Sequence, residues 1–189
     1  MIKVNNTFII AIMGVDGSGK TTIAKHLNKR LKKSKYLHLK PYILFKDRRR
    51  VVQNPHLEKK SSFGVSFLRL LSWLISYKVF FRSNKNFKAC IFDRYAHDIL
   101  IDPIRYKHNL SKGLTKFILN YFPKPDLWVF LNPNLKTIKS RKHELPDKVL
   151  KHQVFNYSKF FKTQKNVLIL NSIKKDILIT HIIKKIINR

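Results

Sequence analysis

Short apolar, β-branched or aromatic runs alternate along this chain with longer stretches in which apolar residues return every three or four positions. The short runs are Thr7 to Met13, Tyr36 to Leu39, Ala89 to Phe92, Leu127 to Leu131 and Val167 to Leu170. Runs of this length suit strands buried on both faces. The longer stretches predict helices over Lys20 to Lys32, Phe63 to Arg82, Leu114 to Phe122, Leu135 to Arg141, Asp147 to Phe161 and Lys174 to Asn188. Such alternation predicts an α/β fold, a three-layer α/β/α arrangement around a five-stranded parallel sheet with crossover helices. Pro123, Pro125 and Pro133 bracket the fourth strand and stop helices on either side of it. The segment Pro41 to Ser61 is the least regular, carries Arg48, Arg49 and Arg50 together, and reads as a substrate-side loop. No internal repeat or long linker divides the 189 residues, so 1–189 is read as one domain.

The stretch Phe63 to Phe81 is the most apolar. Ser62, Ser66, Arg69, Ser72 and Ser76 recur through it at three- to four-residue steps, which predicts a wide apolar face and a narrow polar stripe. Packing into the core or against a second copy in a homodimer is the first reading, and contact with a membrane surface the second. Monomer alone in ultracentrifugation at high concentration would remove the homodimer. Cys90 is the single cysteine and sits between Ala89 and Ile91, the setting of a buried strand position in a reducing, cytoplasmic compartment. The apolar start from Phe8 leads into Gly14, Asp16 and Lys20 rather than a small-residue cleavage site, so no signal peptide is read.

Glycine is scarce, yet three of the five fall at Gly14, Gly17 and Gly19. They form Gly14-Val15-Asp16-Gly17-Ser18-Gly19-Lys20-Thr21, the pattern of glycine, four residues, glycine, lysine, then serine or threonine. An apolar strand runs into it and a helical period leaves it, the context a phosphate-binding loop requires. Its glycines let successive amides point at phosphate oxygens, and the following helix adds the positive end of its dipole. Lys20 can reach the β and γ phosphates of a nucleoside triphosphate, and the Thr21 hydroxyl can ligate Mg2+.

A loop of this kind serves many reactions, but three motifs narrow the reading. Gly14 to Thr22 resembles the phosphate loop of thymidylate kinases, in which an acidic residue at the place of Asp16 and a threonine pair are characteristic. Phe92-Asp93-Arg94-Tyr95 is similar to that family's Asp-Arg-Tyr element, and Pro123-Lys124-Pro125-Asp126 to its Pro-x-Pro-Asp strand. The resemblance implies a P-loop kinase with a short lid that passes the γ-phosphoryl group of Mg-ATP to a nucleoside monophosphate. It places Gly14, Asp16, Gly17, Ser18, Gly19, Lys20, Thr21 and Thr22 at ATP, with Thr21 and Asp93 at magnesium. Asp16 would touch an acceptor hydroxyl, Arg94 would grip the acceptor phosphate, and Arg141, in the lid Arg141 to Pro146, would stabilise the transferring group. A homodimer is a further implication.

Two departures keep the acceptor open. Where the family carries Arg-Glu-Pro after the second strand, this chain reads Leu39-Lys40-Pro41, and Lys40 supplies a charge without a bidentate fork. After Tyr95 comes Ala96-His97-Asp98 and then Asp102-Pro103-Ile104-Arg105-Tyr106, a variant similar to thymidylate kinase-like proteins that accompany bacterial surface-polysaccharide synthesis. A sugar or other small metabolite is therefore the alternative acceptor.

Charge alters this picture less than its size suggests. Forty Lys and Arg against ten Asp and Glu give a formal +30, which would suit a nucleic acid or anionic surface with ATP as a switch. Yet the basic residues are spread through nearly every segment, and no RNA-binding aromatic motif or recognition-helix signature accompanies them. Lys, Asn, Ile and Phe all use A/T-rich codons, a simpler source of much of the excess. The acids are the sharper signal, because Asp16, Asp93, Asp98, Asp102 and Glu144 gather on or beside the motifs. No Asn-Lys-x-Asp guanine-reading segment appears, and the eight histidines lack metal-ligand spacing.

Overall fold

A computed structural model describes residues 7–41, 60–84, 86–141, 147–171 and 175–187. The strands are β1 (Phe8–Met13), β2 (Ser34–His38), β3 (Ala89–Asp93), β4 (Leu127–Leu131) and β5 (Val167–Leu170). The helices are α1 (Lys20–Arg30), α2 (Phe63–Ser83), α3 (Asp98–Ile101), α4 (Lys112–Leu119), α5 (Leu135–Arg141), α6 (Asp147–Phe161) and α7 (Lys175–Ile187). The five strands form one sheet in the order β2-β3-β1-β4-β5, and all four pairings are parallel. This is the five-stranded parallel α/β sheet that the alternating pattern predicts, with the glycine-rich loop leaving its central strand as in P-loop NTPases.

Two-residue alternation along β1 builds a core on each face of the sheet. Ile9, Ala11 and Met13 belong to one buried cluster, with Leu70, Trp73 and Tyr77 of α2 and Tyr157 and Phe161 of α6. Ile10 and Ile12 belong to the other, with Ile23, Ala24 and Leu27 of α1 and Ile179 and Ile182 of α7. Asp126 starts the β1–β4 ladder by accepting a hydrogen bond from the Ile9 amide at 2.8 Å, so its place after two prolines is structural. Cys90 is buried in β3, and burial pushes its thiol up to about 12, as expected of an inert strand cysteine.

Three local readings shift. The second strand begins at Ser34 rather than Tyr36, because the serine hydroxyl closes the preceding turn on the Leu31 carbonyl at 2.7 Å. The fourth helix starts at Lys112, two residues early, where Ser111 caps it by accepting from the Leu114 amide. The short helix α3, within the run after Tyr95, has too few residues to display a period.

The polar stripe of α2 turns inward. Ser66 and Ser76 are buried, Ser66 accepts from the Asn109 amide at 3.1 Å, and Ser76 donates to its own helix at the Ser72 carbonyl. The outward face instead shows Val65, Leu68, Ile75 and Val79. With Ser72 these recur at steps of three, four, three and four along the outward side of the helix. By length and composition α2 could cross a bilayer, but Leu70, Trp73, Leu74, Tyr77, Phe80 and Phe81 pack it into the core.

His97 lies among aromatic rings, stacked on Tyr95 with centroids 5.6 Å apart and edge-on to Trp128 at 5.3 Å. Its Nδ1 is buried without a hydrogen-bond partner among the described residues. Burial, reinforced by Lys124, pushes the imidazole down to about 4. Between that value and the ordinary 6.5 the unfolded chain binds the extra proton, so stability falls as pH drops through this window. The expected loss is up to about 3 kcal/mol by pH 4. His97→Phe should flatten that part of the pH profile in urea titrations at pH 7 and pH 4.5; an unchanged slope would contradict the assignment.

Candidate active site

The site lies at the carboxyl ends of β1 and β3, the crevice that a sheet whose strand order turns outward from β1 opens to a ligand. Gly14 leaves β1 with φ +148°, and a Cβ there would stand 2.5 Å from the Leu131 carbonyl oxygen. The loop is thus pressed onto the end of β4 where only glycine fits. Gly17 and Gly19 also take positive φ. Gly19 is the N-cap of α1, with no side-chain cap and no acidic residue in the first turn. The first amides of α1 therefore lack side-chain acceptors and face the loop, the arrangement that takes up an anion.

Lys20 is buried and bends back to donate to the Val15 carbonyl at 2.6 Å, with Asp16 at 3.8 Å. Burial and then Arg94 push its amine down to about 7, against the pull of Asp16 and Asp93. Thr21 donates to Asp93 Oδ2 at 2.6 Å, and the Tyr36 hydroxyl reaches the same oxygen at 3.1 Å. Asp93 Oδ1 and the Ser18 hydroxyl are buried with no hydrogen-bond partner among the described residues. A hydroxyl touching a carboxylate whose other oxygen is unused is a hard-oxygen donor set that fits magnesium beside a phosphate. No larger cluster of His, Cys, Asp or Glu suited to a metal occurs among the described residues.

The sequence reading brought Asp16 and Arg94 to the acceptor, and the structure joins them directly. Arg94 adopts φ 70° at the end of β3, a left-handed backbone that costs an L residue roughly 1–2 kcal/mol. From there its guanidinium donates to Asp16, to Asp98 at 2.5 Å and to the Tyr157 hydroxyl at 3.0 Å. Burial pushes the Asp98 carboxyl up, but Arg94 and the hydroxyls of Tyr106 and Tyr157 more than offset it and hold Asp98 below the ordinary aspartate value. Asp16 accepts from Arg105 on its second oxygen. Opposed by burial, Arg94, Lys20 and Arg105 together hold its carboxyl far below the usual range. Asp16 is therefore an ion-paired junction rather than a free carboxylate.

Lys40 is buried, its ammonium 5.6 Å from the centre of the Trp73 ring. Thr22 is exposed as the third residue of α1. Arg141 ends α5. The rest of the expected lid, 142–146, and most of the expected substrate-side loop, 42–59, lie outside the described residues. Arg105, Tyr106, Gln153 and Tyr157 were given no role by sequence reasoning. Their signals were the Asp102-Pro103-Ile104-Arg105-Tyr106 run and the four-residue spacing of Gln153 and Tyr157, which places both on one face of α6.

A phosphate loop leaving the central strand, faced by a strand-end carboxylate and a buried arginine, defines a P-loop phosphotransferase. Within that class the chain belongs to the thymidylate kinase family, whose model matches residues 12–186. No curated protein matches the sequence significantly. Among solved structures, thymidylate kinase from Candida albicans aligns at 21% identity with a TM-score of 0.63, covering 96% of this chain and 92% of that one. Deoxyadenosine kinase from M. mycoides with bound dCTP aligns at 19% identity and 0.65, covering 96% and 100%. Thymidylate kinase from Ehrlichia chaffeensis aligns at 16% identity and 0.63, covering 95% and 98%. At these identities the structural matches speak for the fold, while the family rests on the model match.

Proposed function

We propose that this protein transfers the γ-phosphoryl group of Mg-ATP to a nucleoside monophosphate, with dTMP the first candidate acceptor. The carrying observation is the convergence of Lys20, the Thr21–Asp93 pair and the Arg94–Asp16 pair on one crevice. A donor half and an acceptor half thus meet where a phosphoryl group would pass. In this reading the amides from Gly14 to Gly19, with Ser18 and Lys20, cradle the ATP phosphates, and Thr21 and Thr22 lie at the same helix end. Thr21 and Asp93 hold magnesium, which when bound neutralises β- and γ-phosphate oxygens.

Lys20 swings from Val15 onto the phosphates, Arg94 orients the acceptor with Asp16 and Lys40 beside it, and Arg141 stabilises the transferring group, as the family resemblance implies. The chemistry asks little of acid or base, since phosphoryl transfer depends mainly on positioning and electrostatics. Steady-state ATP turnover with a panel of nucleoside monophosphates, nucleosides and sugars tests the reading. Turnover of monophosphates with sugars inert is expected, and turnover with sugars alone would replace the proposal by the metabolite-kinase alternative.

A further inference from the structure

Arg105 enters this cluster from a turn that has been built to hold it. The turn follows α3, and four separate elements brace it. Asp102 accepts from the Arg105 amide at 3.2 Å, and its other oxygen accepts from Gln153 of α6 at 2.9 Å. Arg69 of α2 donates to the Tyr106 carbonyl, and the Ser61 amide donates to the Lys107 carbonyl at 2.9 Å. Tyr106 itself reaches back to Asp98 at 2.6 Å. Both Asp102 and Gln153 are buried, so a polar chain from α6 fixes the backbone from which the Arg105 side chain leaves.

Asp16 faces three cations, Arg94, Arg105 and Lys20; of the other carboxylates whose charge reaches this junction, Asp98 accepts from Arg94 and two tyrosines, and Asp93 accepts from Thr21 and Tyr36 on one oxygen. The two arginines also differ in access. The Arg94 side chain is 5% exposed, whereas that of Arg105 is 25% exposed beside an Asp16 exposed to 21%. Arg105 thus holds an anion at the mouth of the crevice with donors to spare, since a guanidinium carries five N–H groups. Lys40, the cation that the sequence put forward for this task, offers a point charge near the Trp73 ring instead.

Resting on the kinase reading above, we propose that Arg105 and Arg94 form a two-guanidinium clamp for a phosphomonoester on the acceptor, with Asp16 as the counter-ion that holds both forks in place. A phosphate dianion matches the paired forks in charge and geometry. The clamp therefore makes the protein select phosphorylated acceptors over their neutral counterparts. Gln153 and Asp102 are positioning residues that act through Arg105.

Calorimetric binding of two matched pairs, dTMP with thymidine and glucose 6-phosphate with glucose, to the wild type, Arg105→Gln and Arg105→Lys tests the clamp. In the wild type at least one phosphorylated member should bind about 100-fold tighter than its neutral partner. Arg105→Gln should cut that preference at least about tenfold, the scale of one charge-assisted hydrogen bond, and leave ATP affinity unchanged. Arg105→Lys should keep the charge but lose the fork, for about a fivefold loss. Should Arg105→Gln unfold, the lysine variant decides alone, and a preference equal to the wild type overturns the clamp. So does a wild type that binds no phosphomonoester, or binds the neutral partners equally well. Arg105-dependent binding of glucose 6-phosphate without dTMP turnover would sink the nucleotide reading and keep the clamp. Turnover of dTMP with a preference indifferent to Arg105 would do the reverse.

Discussion

Lys20→Met should raise the melting temperature of the ligand-free protein while cutting acceptor-dependent ATP turnover by about 10³-fold, the scale set by removing a positioned cation from a transition state. The two effects have one cause. Burial pushes the Lys20 amine down from 10.5 to about 7, so between these values the unfolded chain holds a proton that the folded chain gives up. Stability therefore falls as pH drops from 10 to 7, and the folded protein carries that cost at neutral pH. Methionine fills the same space without a charge to bury.

Phosphate oxygens restore what burial removes, so nucleotide binding should draw a proton onto Lys20. Calorimetry at pH 8 in buffers of different ionisation enthalpy should register this uptake in the wild type and not in Lys20→Met. Turnover that survives the substitution would refute the role assigned to the loop. A melting temperature that falls instead would refute the stored cost.

Asp98→Ala should destabilise the fold by about 3–5 kcal/mol, the usual consequence of removing one partner from a buried ion pair. Asp98 is fully buried and accepts from Arg94, Tyr106 and Tyr157. Without it the Arg94 guanidinium keeps its charge with only Asp16 to balance it, and two hydroxyls lose their acceptor. Asp98→Asn retains the shape but not the charge and should recover only part of the loss. Urea unfolding at pH 7 measures both. Because the Asp98 carboxyl is held below 3.8, its contribution is complete above that pH and is lost as pH falls through the folded value. Wild-type stability in the alanine variant would mean that the network is not what fixes Arg94.

The donor half of the site was legible because it is local. Gly14 to Thr22 is one contiguous stretch in which strand, turn and helix start are adjacent, and the backbone supplies most of the groups that meet phosphate. Asp93 and Arg94 were legible for a related reason, since an acidic residue ending an apolar run in so basic a chain is conspicuous. The acceptor half was less so. Arg105 lies 89 residues from its partner Asp16, and Tyr157 lies 63 from Arg94. Their local signals, the run from Asp102 to Tyr106 and the four-residue spacing of Gln153 and Tyr157, do not say which distant groups they meet. The serines of α2 misled for the opposite reason, since small hydroxyls satisfied by neighbouring backbone groups can be buried, while valine, leucine and isoleucine on the other side of the helix stay exposed.

The sequence by itself determined the alternation of strands and helices, the five-strand sheet and the phosphate loop, because periodicity and glycine placement act over a few residues. Only the tertiary structure decided that Asp16 is an ion-paired junction, that Arg105 joins Arg94 there, and that Gln153 and Asp102 hold the turn in place. Charges separated by tens of residues interact only once the sheet has brought the ends of β1 and β3 together, and burial then decides which of them keep a partner and which remain open to a ligand.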